Sequence, residues 1–154
     1  MNRETIIING CFDCFHAGHQ YLIHVARIWA SKRVVVLLNS DSSVKRLKGI
    51  GRPINDFDTR VKNINEYWKS LHYLDLAHLE LYAFNTEKQL AEIIDKLEPS
   101  MILKGNDRPD VREIVGSDKW PVCILPRLKD KDNKDISTTR KIEEFKSAQE
   151  TDVK

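Results

Sequence analysis

Short β-rich apolar runs alternate with helical periodicities along the chain, and this alternation restricts the fold more than any other feature. Thr5 to Asn9 carries Ile6-Ile7-Ile8. Leu22, Val25, Ala26 and Trp29 follow at i, i+3, i+4 and i+7, one face of a helix. Arg33 to Asn39 contains Val34-Val35-Val36-Leu37-Leu38, a strand expected to be buried on both faces. Phe57, Val61, Ile64, Trp68 and Leu71 mark a second amphipathic helix, with Asp56 placed to cap it. Asp75 to Tyr82 reads as a third strand, and Thr86-Glu87-Lys88-Gln89 as a capping box. Leu90, Ile93, Ile94 and Leu97 continue that helix to Pro99. Met101-Ile102-Leu103 and Val122-Cys123-Ile124-Leu125 are two more strands, and Ser137 caps a last helix carrying Ile142 and Phe145. The pattern implies an α/β fold: a single Rossmann-like domain with a five-stranded parallel sheet and helices on both faces.

The domain is expected over residues 1–146, with a polar, frayed tail over 147–154. A chain of 154 residues is long enough to bury one proper core. Its net charge of +2 gives no reason to expect nucleic acid or a membrane surface as partner. The longest wholly apolar run, Val34 to Leu38, is far short of the ~20 residues that span a bilayer. Residues 1–4 lead into the first strand without the apolar region of a signal peptide. Three cysteines are not a disulfide framework, and a cytoplasmic location is the simplest expectation.

In a parallel sheet of this kind, ligands bind beyond the carboxyl ends of the strands. The unusual polar residues fall there, in loops 9–19, 39–52, 104–109 and 126–139. The first of these holds Gly10-Cys11-Phe12-Asp13 and then His16-Ala17-Gly18-His19 at a helix start. Unpaired backbone N–H groups and the positive end of the helix dipole favour an anion there. Histidines three apart lie on nearly one face, so both can donate to one phosphate, and Gly18 lets the backbone come close. After the second strand, Asn39-Ser40-Asp41 suits ribose or base contacts, and the cations of Val44-Lys45-Arg46-Leu47-Lys48-Gly49 suit phosphates. Arg60, early in the second helix, is placed to reach an anion. Lys104-Gly105-Asn106-Asp107-Arg108 ends the fourth strand. Arg127 and Ile136-Ser137-Thr138-Thr139 offer a second anion cradle.

Each of these has a plainer reading. Two histidines occur often on surfaces, a basic run is usually a solvated face, Arg60 can be an exposed helix residue, and Ser137 can be a simple cap. Cys11, Cys14, His16 and His19 can also be read as a compact zinc site, or Cys11-x-x-Cys14 as a redox pair. Four ligands within nine residues, split across a turn and a helix start, converge poorly on a tetrahedral metal, so no protein-bound metal site is expected. Gly49-Ile50-Gly51 lacks the third glycine of a dinucleotide fingerprint. Residues 128–135 alternate acids and lysines and read as a mobile surface loop.

At Gly10-Cys11-Phe12-Asp13, His16-Ala17-Gly18-His19 and Ile136-Ser137-Thr138-Thr139 the chain resembles the cytidylyltransferase-like nucleotidyltransferases. Within that family, Asn39-Ser40-Asp41 with Val44-Lys45-Arg46-Leu47-Lys48-Gly49 and Gly51-Arg52-Pro53 is most similar to the heptose 1-phosphate adenylyltransferases. Lys104-Gly105 with Asp107, and Glu113-Ile114-Val115-Gly116, agree with that branch. Pro126-Arg127 and Ser137-Thr138-Thr139 with Ile142-Glu143-Glu144 look like glycerol-3-phosphate cytidylyltransferase. The resemblance implies catalytic roles for His16, His19, Lys45 and Lys48. It implies nucleotide binding by Gly10, Cys11, Phe12, Asp13, Gly18, Arg127, Ser137, Thr138 and Thr139; by position, Asn39 and Asp41 are added as nucleotide contacts, and Arg60, Lys104 and Asp107 are expected to bind the acceptor. The implied reaction moves AMP from ATP to a sugar 1-phosphate and releases pyrophosphate, with Mg²⁺ bridging phosphate oxygens. The alternatives are a cytidylyltransferase using CTP and glycerol-3-phosphate or a related phosphorylated alcohol, and a nucleotide- or zinc-binding module without turnover. A homodimer is the implied assembly. Two departures fall where acceptor or base choice is set: Arg108 in place of an aromatic residue, and an insertion over Lys129 to Asp135.

Overall fold

The structure is a computed structural model that describes residues 3–72, 77–105, 110–134 and 142. Five strands form one sheet: β1 (Thr5–Gly10), β2 (Arg33–Asn39), β3 (His78–Phe84), β4 (Met101–Gly105) and β5 (Val122–Leu125). All pair in parallel, in the order β3-β2-β1-β4-β5. The chain winds outward from β1 through β2 to β3, then returns to the other side of β1 for β4. The switch point, where a crevice opens at the strand ends, therefore lies between β1 and β4.

Ile6, Ile7 and Ile8 of β1 and Val34 to Leu38 of β2 are fully buried, as central strands covered on both faces require. One face packs Ile6, Ile8, Val34, Val36, Leu38 and Leu103 against helices α1 (Ala17–Trp29) and α3 (Phe57–Ser70). The other packs Ile7, Val35, Leu37 and Ile102 against α4 (Glu87–Leu97) and Ile114. The parallel five-stranded sheet with helices on both faces is as the alternation of the sequence requires.

Several local expectations are refined. Asp56 caps α3 by accepting from Thr59 N at 2.8 Å. Thr86 caps α4, but Gln89 Oε1 accepts from Asn85 N, one residue before the cap, so the box is displaced. β3 runs to Phe84, which pairs with Asn39. The basic stretch after β2 is not a loop. It forms a further helix, α2 (Asp41–Lys48), capped by Ser40 through Ser43 N. Its eight residues bury only Ser43 and Val44, too little for the hydrophobic pattern to reveal it. Within the surface loop expected over 128–135, residues 130–134 make a tight turn in which Asp130 Oδ1 accepts from Asp132 N and Lys134 N. Asp107, Arg108, the Ser137-Thr138-Thr139 group and the tail lie outside the described residues, as does the expected last helix except Ile142.

Gly116 sits at φ +90°, and a Cβ there would meet Ile102 Cδ1 at 2.9 Å and Ile94 Cγ2 at 3.4 Å. Gly116→Ala is expected to cost about 1–3 kcal/mol through strain and overpacking. Urea unfolding monitored by far-UV circular dichroism measures it, and an unchanged midpoint would rule that packing out.

Candidate active site

The loop from Gly10 to His16 leaves β1 at the switch point and enters α1. Phe12 and Cys14 adopt left-handed backbone, φ 53° and 49°, which costs non-glycine residues about 1–3 kcal/mol each and persists only where the surroundings impose it. Here Asp13, 1% exposed, imposes it. Its Oδ1 accepts from Cys14 N and Asn55 N, and its Oδ2 from Ile54 N and Arg52 Nε, at 2.8–3.1 Å. Asn55 Oδ1 in turn accepts from Cys14 N at 3.2 Å. The carboxylate of Asp13, a residue that the resemblance places at the nucleotide, shapes the loop.

Arg60 departs from expectation. It is fully buried, because α3 turns it inward beneath the strand ends. Its Nη1 donates to Cys11 O at 2.9 Å and Asn39 O at 2.8 Å, Nε to Asn55 O at 3.1 Å, and Nη2 to Asp41 Oδ1 at 2.7 Å. One guanidinium thus ties together the ends of β1 and β2, the 52–55 segment and the first turn of α2. No acceptor surface is left to it. Asn39, 5% exposed, likewise faces inward: Nδ2 donates to Ser43 Oγ, and Oδ1 receives the Cys11 thiol at 3.5 Å. Burial pushes the Cys11 thiol above its usual range, opposed by the nearby Lys48, Arg60 and Arg52 cations. Among the described residues, no group of three or more His, Cys, Asp or Glu side chains is arranged to hold a metal ion.

On this frame the histidines take a defined chemical state. His16 is the N-cap of α1; its Nδ1 accepts from Gly18 N at 3.0 Å, and its side chain from the His19 amide as well. His19 Nδ1 accepts from His16 N at 3.3 Å. Two imidazoles thus form a reciprocal capping box, a task usually given to Ser or Thr with Glu. The backbone N–H groups of His16, Gly18 and His19 at this helix start are spent on these rings. An Nδ1 that accepts carries no proton, so each neutral ring bears its proton on Nε2 and donates from there. The rings stack at 3.8 Å, and His19 also contacts Phe12 and Phe15. Burial, then the neighbouring His16, pulls the His19 pKa down to about 3, so it stays neutral at physiological pH.

Lys45 and Lys48 lie exposed on α2, and the field of Lys48 reaches Cys11. Lys104 ends β4, and its Nζ donates to Asn9 O and Asn9 Oδ1, both at 3.1 Å. Arg127 is exposed beyond β5. The structure thus gathers Gly10, Cys11, Phe12, Asp13, His16, Gly18, His19, Asn39, Asp41 and Arg60 around the ends of β1 and β2, while Lys104 joins from β4. Sequence reasoning gives Arg52, Asn55 and Asn9 no role of their own. Arg52 forms the cis peptide with Pro53, Asn55 lies two residues beyond it, and no periodicity marks either.

Arg60→Met, which keeps the bulk but strands three carbonyls, is expected to cost about 3–5 kcal/mol of folding stability. Equilibrium urea denaturation checks this, and a variant as stable as the parent would contradict the buried tie.

Comparison with known proteins agrees with this geometry. A family model described as cytidylyltransferase-like matches residues 7–144. The bifunctional protein HldE of Methylococcus capsulatus is 35% identical over 123 residues, which are 80% of this chain and 23% of that protein. HldE of Campylobacter concisus is 35% identical over 147 residues, covering 86% and 29%. The chain thus spans about a quarter of the length of these relatives. Among solved structures, a lipopolysaccharide core biosynthesis protein from Thermoplasma volcanium is similar at TM-score 0.56 and 24% identity, covering 82% of this chain and 98% of that one. A pantothenate synthetase from Thermus thermophilus is similar at TM-score 0.55 and 12% identity, covering 89% and 60%. The last two likenesses concern the fold alone. With the family model spanning most of the chain and the HldE relatives above 30% identity, the chain belongs to the cytidylyltransferase-like family.

Proposed function

We propose that the protein is a nucleotidyltransferase that moves a nucleoside monophosphate from a triphosphate to a phosphorylated small molecule and releases pyrophosphate. The observation that carries this reading is the pair of stacked imidazoles at the start of α1, each with Nδ1 held as an acceptor. Two neutral Nε2–H donors side by side suit the oxygens of a polyphosphate.

The chemistry asks little covalent work of the protein. A phosphate monoester has its second pKa near ~6, so it is largely a dianion at neutral pH and is its own nucleophile. Its oxygen attacks the α-phosphorus, a new P–O bond forms, the bond to the bridging oxygen breaks, and pyrophosphate leaves with the electron pair. No general base is required. The protein aligns the two anions and stabilises the charge that builds on the α- and β-phosphate oxygens. His16 and His19 would donate there, and Lys45 and Lys48 would supply mobile positive charge from α2.

Mg²⁺ enters this scheme with the substrate. Asp13 has both oxygens engaged, and the described residues build no carboxylate cage. A Mg²⁺–triphosphate complex, its ion held by phosphate oxygens and water, fits such a site without a resident ion.

The preferred pair is ATP with a sugar 1-phosphate, because the Asn39 to Pro53 segment resembles the heptose 1-phosphate adenylyltransferases. CTP with glycerol-3-phosphate is the second reading, supported by the Pro126-Arg127 segment. Pyrophosphate release, with ATP and CTP crossed against heptose 1-phosphate and glycerol-3-phosphate, separates them. Turnover only with ATP and the sugar phosphate is expected; turnover only with CTP would select the second reading. In the active pairing, His16→Ala and His19→Ala are each expected to lower kcat by roughly 10²–10³-fold, as loss of a transition-state donor does. Near-normal kcat in both folded variants would refute the mechanism.

A further inference from the structure

Asn9 has no part in the reading above, yet its amide occupies an unusual position. Ile7 and Ile102 are register partners of β1 and β4, and both belong to the core beneath α4. Asn9 and Lys104 each lie two residues further along, so they project on that same face, at the carboxyl end of the switch point. Phe12, Phe15 and the imidazole they contact belong to the opposite face, beneath α1 and α3. The crevice is therefore lined from one face by the histidines and from the other by Asn9 and Lys104.

The Lys104 ammonium donates to both the carbonyl and the side-chain oxygen of Asn9, at 3.1 Å each. This chelate fixes the ammonium and also fixes which way the amide points. Oδ1 must face the cation, so Nδ2 faces away from it. There Nδ2 is buried and has no hydrogen-bond partner among the described residues. Buried donors in folded proteins are nearly always satisfied, so an orphan beside a fixed cation calls for an acceptor from outside the chain.

We propose that Asn9 and Lys104 form one subsite for the phosphate monoester of the acceptor, with Lys104 as its cation and Asn9 both positioning that cation and donating from Nδ2. This rests on the acceptor being a phosphate monoester. Two anions must meet at one phosphorus, and a pair on the opposite face from the histidines reaches the second anion without competing for the first. The amide answers two needs together, because only an Asn or Gln offers an acceptor to the lysine and a donor to the ligand.

The test is calorimetric titration of heptose 1-phosphate and of glycerol-3-phosphate into the parent, Lys104→Met, Asn9→Leu and the Asn9→Leu/Lys104→Met double variant. Each carries saturating non-hydrolysable ATP or CTP, and thermal midpoints check folding. Asn9→Leu removes the N–H without adding a charge and leaves the residue-9 carbonyl to hold Lys104; the double variant reads the N–H with the cation already gone, which separates ligand donation from anchoring. The expected result is binding of one monoester by the parent, at least tenfold weaker in Lys104→Met and in Asn9→Leu, as loss of a hydrogen bond to a charged group produces. The double variant is expected to bind more weakly than Lys104→Met, and affinity for the nucleotide analogue to stay within about twofold throughout. Monoester affinity unchanged in either single variant, or a fall confined to the nucleotide analogue, would overturn the proposal, as would a folded parent that binds neither monoester. Failure of the functional reading has a different signature: the binding pattern holds, but no pairing of substrates releases pyrophosphate.

Discussion

The buried Arg60 guanidinium is the interaction on which the site depends. Parallel strands end with carbonyls that have no further partner in the sheet, and at the ends of β1 and β2 those carbonyls lie side by side. Arg60 accepts the desolvation cost of a buried cation and satisfies Cys11 O, Asn39 O and Asn55 O together, with Asp41 as its counter-charge. A planar fork with five N–H donors is suited to several fixed acceptors; a lysine could not span them. Asp13 is the complementary tie, a buried carboxylate that gathers backbone N–H groups and Arg52. Between a cation that collects carbonyls and an anion that collects amides, the loop from Gly10 to His16 has little freedom left. Its left-handed residues are held there.

This frame consumes the charges nearest the loop, and what it presents at the start of α1 is neutral. His16 and His19 cap the helix with their Nδ1 atoms, and in the function proposed above their Nε2–H groups would meet the triphosphate. A neutral, rigid donor pair contributes orientation, whereas net charge is supplied by lysines on the exposed helix α2. The division would suit the proposed reaction between two anions, in which fixed donors would set the line of attack and flexible cations would follow the moving charge.

The strands and α1, α3 and α4 were legible because each carries a long apolar period, and the strand ends marked where a site would form. The roles of polar residues were less legible. A single arginine at a helix start gives no sign of which way its turn faces, so the inward course of Arg60 is not legible in the sequence. A loop carboxylate such as Asp13 looks the same in sequence whether it binds a substrate or three backbone amides. The helix α2 leaves no hydrophobic period in the sequence because it buries only Ser43 and Val44. The link between Asn9 and Lys104 joins residues 95 positions apart and follows from strand order, which no local pattern discloses.

The central claim is that His16 and His19 act as neutral Nε2–H donors, and ¹⁵N NMR of histidine-labelled protein tests it most directly. The account predicts an unprotonated Nδ1 and a protonated Nε2 on both rings near pH 7. It also predicts that His19 stays neutral well below 6.5, with a midpoint near about 3, and that the Nε2–H signals of both rings shift on adding the Mg²⁺–triphosphate. A His19 that gains its proton near 6.5, an Nδ1–H tautomer on either ring, or Nε2–H signals indifferent to the triphosphate would contradict it.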